Sequence, residues 1–185
     1  MFQAVSYSGW AGAEMRAISA IDIALWDLAG KAAGVPIYQL LGGASRPSIR
    51  TYNTCYDHLD FLTEPVKLAR ELYSSGIHAM KIWPFDQFAD ATNGQHITPL
   101  QIEQAVKPFH DIRDAVGMRM EIAVELHSRW NLQCAIRIAE ALEEIKPLWY
   151  EDPIQMDHPE ALAQFAHSTR VPTTASETMT NRAAF

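Results

Sequence analysis

Basic residues are scarce: 15 Lys and Arg stand against 22 Asp and Glu in 185 residues, a formal charge of −7. That balance excludes a nonspecific nucleic-acid binder, whose affinity comes mostly from basic contacts to phosphate. It leaves room for an anionic small molecule, because a metal ion can supply positive charge locally. Cysteine is rarer still. Cys55 and Cys134 have no metal-type spacing, which excludes a disulfide framework and a zinc knuckle and points to a reducing compartment. Long apolar runs are missing too, since Asp22, Asp27 and Lys31 interrupt the best candidate. The stretch from Met1 to Trp10 has neither the basic start nor the apolar run of a secretory leader. A soluble, cytoplasmic protein with no membrane partner is expected.

Apolar residues, by contrast, make up 48% of the chain, enough for a sizeable core. The length fits one domain and part of a second at about 150 residues each. Ile18, Ile21, Leu25 and Leu28 recur at helical spacing, predicting a helix over 13–33 that stops at Gly34 and Pro36. After Gly42 and Gly43 the rhythm changes. Strands are predicted over 49–54, 79–83, 120–126, 148–151 and 173–177, alternating with helices over 63–75, 100–116, 132–145 and 160–167. The polar stretch 85–99 reads as a long functional loop. Strands alternating with helices imply a parallel sheet with helical crossovers. The turn Cys55-Tyr56-Asp57-His58 after the first strand lacks both a glycine fingerprint and a phosphate loop. A barrel is therefore favoured over an open nucleotide-binding sheet.

The last three predicted strands each end in a glutamate: Glu125 in AVELH, Glu151 in WYEDP and Glu177 in TASET, 26 residues apart in both intervals. In a parallel barrel, equivalent strand ends open into one mouth at the C-terminal face. Three carboxylates gathered there repel one another unless a cation neutralises them. An all-oxygen ligand set suits a hard ion, of which Mg²⁺ is the usual case. His127, two residues past Glu125, shares its face on an extended strand and is a candidate acid or base. Lys81 alternates with the apolar Met80 and Ile82, so it faces inward if they face the helices, and an inward lysine calls for carboxylate partners. Trp83 would wall the same mouth. His58, His78, His96 and His158 lack such alignment and read as loop residues, and Cys134 reads as core.

The run Ala17 to Gly43, AISAIDIALWDLAGKAAGVPIYQLLGG, together with the endings ELH, YEDP and SET, closely resembles the mandelate racemase/muconate lactonizing enzyme branch of the enolase superfamily. The resemblance implies an α+β capping domain over a (β/α)7β TIM-like barrel. Residues 1–45 would then end the capping domain, and 46–185 would open the barrel with its first five strands. It also implies Mg²⁺ held by Glu125, Glu151 and Glu177, with Glu125 standing where Asp is commoner. Chemistry in this branch begins with removal of the proton alpha to a carboxylate, giving a metal-stabilised enediolate. Lys81 matches the first lysine of a Lys-x-Lys motif, and Trp83 replaces the second, the usual base on that face. His127 matches a histidine of the branch's sugar-acid dehydratases that serves as acid or base for departure of hydroxide.

The resemblance therefore favours an Mg²⁺-dependent hydro-lyase acting on an aldonate-type sugar acid, in a protein that forms a homo-oligomer. A racemase or epimerase of a carboxylate substrate is the second reading, and a non-catalytic relative of such enzymes is the third. A barrel of this type takes eight strands and roughly 250 residues. The chain is accordingly expected to be the middle of a longer protein, lacking the seventh-strand base, inactive alone and aggregation-prone at its sheet edges.

Overall fold

A computed structural model describes residues 1–5, 7, 11–55, 58–180 and 182. Two residues of the turn after the first predicted strand, Tyr56 and Asp57, lie outside this set. The chain divides into two compact units, Met1–Arg50 with Thr178–Phe185, and Thr51–Glu177.

The first unit is helical: α1 spans Phe2–Val5, α2 Ala13–Ala33 and α3 Ile37–Leu40. The predicted helix 13–33 forms with those bounds, and its stop works as expected. Gly34 takes a left-handed φ of 70° and its N–H reaches the last helical carbonyls, a conformation that only glycine adopts cheaply. The apolar stripe of α2, however, is not core. Ile21, Leu25 and Leu28 are 48, 51 and 62% exposed, and the buried residues of the helix are Met15 and Gly30.

The second unit holds α4 (Pro65–Ser74), β1 (Ala79–Ile82), α5 (Asp86–Ala89), α6 (Pro99–Val116), β2 (Glu121–Glu125), α7 (Leu132–Ala141), β3 (Tyr150–Glu151), α8 (Pro159–Ser168) and β4 (Thr173–Thr174). The strands form one parallel sheet in chain order, β1-β2-β3-β4. The alternation of strand and helix read from the sequence is therefore realised as a mixed α/β unit with a parallel sheet. β1 is buried along its whole length, as is β2 from Ile122 onward, as expected for a sheet covered on both faces. Met80, Ile82, Ile122 and Val124 join Phe85, Phe109, Ile112, Leu126, Ile138, Tyr150 and Phe165 in one apolar core.

The first predicted strand, 49–54, is reduced to a single bridge between Asn53 and Met80. Ile49 and Tyr52 are exposed. Asn53 Oδ1 accepts the N–H of Cys55 at 2.6 Å, an Asx turn that bends the chain away from pairing. The loop 85–99 also carries more structure than its composition suggests. It holds the short α5, and it ends at Thr98, whose side chain forms a reciprocal capping box with Gln101 at the start of α6. No helix among the described residues is long and apolar enough to cross a membrane.

Candidate metal centre

Register places one side of the site. Lys81 pairs with Ala123, whose small side chain leaves room beside the lysine on the sheet face opposite Met80 and Ile82. Glu125 and Glu151 end β2 and β3 directly opposite one another. The Lys81 ammonium lies between them, donating to Glu125 Oε2 at 2.7 Å and to Glu151 Oε1 at 2.5 Å. The other Glu125 oxygen accepts the backbone N–H groups of Leu126 (3.1 Å) and His127 (2.9 Å). The other Glu151 oxygen accepts Trp149 Nε1 at 2.9 Å. Tyr52 lays its ring 5.7 Å from the lysine Nζ and its edge against Trp149.

Glu177 arrives differently. The residue in register with Glu151 on β4 is Thr174, so the equal sequence spacing of the three glutamates does not correspond to equal register. The strand stops there, and a turn through Ser176, at a φ of 130°, carries Glu177 back. Ser176 is tied down by its N–H, which donates to the buried Asp152 Oδ1 at 3.2 Å. The outcome is convergence: one oxygen from each of Glu125, Glu151 and Glu177 lies within 4.8 Å of the others.

Electrostatics make this an incomplete cluster. Three carboxylates against one ammonium leave two formal negative charges in a pit where Glu125 is fully buried. Burial pushes the Glu125 carboxyl above the usual range, against the pull of Lys81 and the backbone of His127. Burial acts upward on Glu151 too, but the hydrogen bonds from Lys81 and Trp149 outweigh it and hold that carboxyl low. For Lys81, burial would lower the pKa, yet its bonds to both glutamates override that and hold it above the ordinary lysine value. The donor set fits a hard divalent cation: all oxygen, partly exposed at Glu177, and short of two positive charges.

Beside this cluster the chain after β2 takes two consecutive left-handed residues, His127 (φ 50°) and Ser128 (φ 57°). Neither is glycine, so the geometry is strained, and it is held by Ser128 N–H donating to Asp152 O at 2.7 Å. His127 therefore does not continue the strand as its spacing from Glu125 suggested. Its ring meets Trp83 edge-on at 5.8 Å, and its Nδ1 lies 2.7 Å from Asp86 Oδ2. That bond raises the imidazole pKa above its ordinary value, against an opposing effect of burial. Trp83 also packs on Phe61 at 4.6 Å. Of the remaining histidines, His58 pairs with Glu71 and His78 stacks on Tyr73, both away from the cluster. Cys134 is buried in the core, as its helix position predicted.

Three participants escaped the sequence reading. Trp149 was available through alternation, being two residues before Glu151 on the same strand face. Asp86 and Arg129 carried no local signal, because each is placed by a loop. A groove of about 660 Å³ along α4, lined by Lys67, Arg70 and Glu71, touches none of these residues.

Residues 64–185 match the family described as Enolase C-terminal domain-like, and residues 1–42 match the Mandelate racemase / muconate lactonizing enzyme N-terminal domain. Among curated relatives, the chain is 33% identical over 171 residues to a D-galactonate dehydratase of Variovorax paradoxus, covering 92% of this chain and 43% of that protein. It is 32% identical over 174 residues to a D-gluconate/D-galactonate dehydratase of Picrophilus torridus, covering 91% and 42%. Among solved structures, an enolase of the mandelate racemase subgroup from Agrobacterium tumefaciens is 49% identical with a TM-score of 0.89, covering 97% of this chain and 47% of that one. The chain thus spans a little under half the length of these relatives.

Proposed function

The chain belongs to the mandelate racemase/muconate lactonizing enzyme branch of the enolase superfamily, and from that premise we propose that its protein is an Mg²⁺-dependent dehydratase of an aldonate-type sugar acid. The observation that carries this reading is the convergence of Glu125, Glu151 and Glu177, the first two bonded to the Lys81 ammonium, which leaves the group two formal charges short of neutrality. In the same reading, residues 1–45 close a capping domain and 46–185 form the opening strands of a (β/α)7β barrel. The dehydratase relatives supply the substrate class, a polyhydroxy carboxylate.

Glu125, Glu151 and Glu177 would hold the ion, which when bound supplies Lewis-acid stabilisation for charge developing on the substrate carboxylate. The base that takes the α proton is, by the family resemblance, not among these 185 residues; other roles fall to the chain's own groups. Lys81 uses two of its three N–H donors on Glu125 and Glu151, leaving one for a substrate oxygen. His127 delivers a proton to the departing hydroxyl at C3 after the α proton has left, so that water, not hydroxide, is released. Trp83 closes the pocket beside the imidazole and offers no base of its own, which weighs against a two-base racemisation on that face.

Incubating the full-length protein with Mg²⁺ and a panel of aldonic acids in D₂O tests this directly. A 2-keto-3-deoxy acid is expected. Deuterium exchange at C2 without that product would replace dehydration by epimerisation, and neither outcome on any substrate would favour a non-catalytic role.

A further inference from the structure

We propose that Asp86, on the loop after β1, is a positioning residue that fixes the tautomer and direction of the His127 ring, holding the proton on Nδ1 and presenting Nε2 to the substrate. The inference deepens the assignment of His127 as the acid group and rests on it for its catalytic meaning.

A carboxylate only accepts hydrogen bonds. With Asp86 Oδ2 at 2.7 Å from Nδ1, that nitrogen must carry the proton, and the nitrogen free to exchange protons with a ligand is Nε2. The same oxygen lies 3.4 Å from Arg129 Nε, and Arg129 also pairs with Asp90. Asp86 Oδ1, by contrast, is buried with no hydrogen-bond partner among the described residues. The carboxylate is thus oriented by a cation on one side and commits its well-formed bond to the imidazole. Asp86 and Asp90 come from the loop after β1, whereas His127 and Arg129 come from the turn after β2, so the two loops are locked by crossed charge pairs.

Close backbone contact sets the alignment of that lock. Asn131 N–H donates to Gly94 O at 3.1 Å, and Asn131 Nδ2 donates to Gln95 O at 3.2 Å. Gly94 sits at a φ of 68°, and a Cβ there would lie 1.7 Å from Arg129 O. Only glycine lets the two loops approach so closely. A left-handed His127 is tolerable because this docking determines where its ring must go.

The test is two-bond ¹H–¹⁵N correlation spectroscopy of ¹⁵N-histidine-labelled protein at alkaline pH, where imidazoles are neutral. His127→Asn assigns the resonance among the seven histidines. His127 is expected as the Nδ1–H tautomer in the wild type, shifting toward Nε2–H in Asp86→Asn and returning in Asp86→Glu, with the other six unmoved. In turnover of the full-length protein, Asp86→Asn should lower kcat by about 10–100-fold with KM within about twofold, the scale of a lost partner that orients a functional histidine. A wild-type His127 already in the Nε2–H form would overturn the proposal without any variant, as would an Asp86→Asn spectrum identical to wild type. A tautomer that shifts while turnover does not would leave Asp86's hold standing and remove His127 from the chemistry.

Discussion

Two sides of one site are built by different means. The strand-borne side, Lys81 with Glu125 and Glu151, is set by sheet register, buried at Lys81 and Glu125, and bonded at every carboxylate oxygen. The loop-borne side, Asp86, His127, Arg129 and Glu177, is set by left-handed turns and crossed ion pairs, and it is partly open to solvent. The fixed ion pairs of the cluster sit on strands, and its more exposed groups sit on loops. Damage to the first side should therefore register as lost stability. Damage to the second should register mainly as lost binding or turnover.

The largest expected effect is at Lys81. Lys81→Met leaves Glu125 buried without its cation, which should cost about 3–5 kcal/mol in denaturant unfolding of the metal-free protein. Added Mg²⁺ should restore part of that loss by binding only the folded state. A cost below about 1 kcal/mol would mean that the strand-borne charges are not coupled as described. Next comes Gly94→Ala, whose methyl meets the Arg129 carbonyl. A loss of about 1–3 kcal/mol is expected, together with displaced His127 resonances. An undisturbed histidine spectrum would show that the two loops are not locked.

Glu177→Gln sharpens the contrast further. It should weaken Mg²⁺ by at least about tenfold in calorimetric titration, while leaving the metal-free denaturation midpoint within the roughly 0.5 kcal/mol scatter of surface changes. An equal loss of apo stability would place Glu177 with the strand residues. The smallest effect lies in the core behind the sheet. The buried Tyr150 hydroxyl donates to Ala139 O at 3.0 Å, and Tyr150→Phe should cost about 1 kcal/mol at neutral pH. Burial raises the phenol above its ordinary value in the folded state. Its contribution is therefore complete below the unfolded tyrosine pKa of about 10 and is lost as pH rises toward the folded value. Denaturation series at rising pH should show a steeper alkaline fall in wild type than in Tyr150→Phe.

The same division explains what the sequence disclosed. Lys81, Glu125 and Glu151 were legible because strand alternation is a two-residue code and the flanking Met80, Ile82 and Val124 fix its phase. The helix 13–33 was legible through its stop signals, while its apolar stripe was no guide to burial. Asp86 was invisible because nothing local marks one acid in a polar loop as the partner of a histidine 41 residues away. Glu177 was found through a spacing whose geometric reason differs: a turn, not register, brings it to the cluster. The predicted strand 49–54 failed because an asparagine side chain offered the backbone a turn in place of a ladder.

The ammonium between Glu125 and Glu151 also bears on the order of events in the life of the chain. Were the acidic pit wholly unneutralised, β2 and β3 would have to bring two carboxylates together against repulsion, and assembly would wait for an ion, as it does in proteins that unfold when chelated. With Lys81 as a built-in placeholder, the sheet can form without an ion, which in the proposed reading would be loaded afterward into a finished cradle. Chelation should then strip the site without melting the fold, and reloading should be a simple exchange, its speed set by ligand motion at Glu177 and not by refolding.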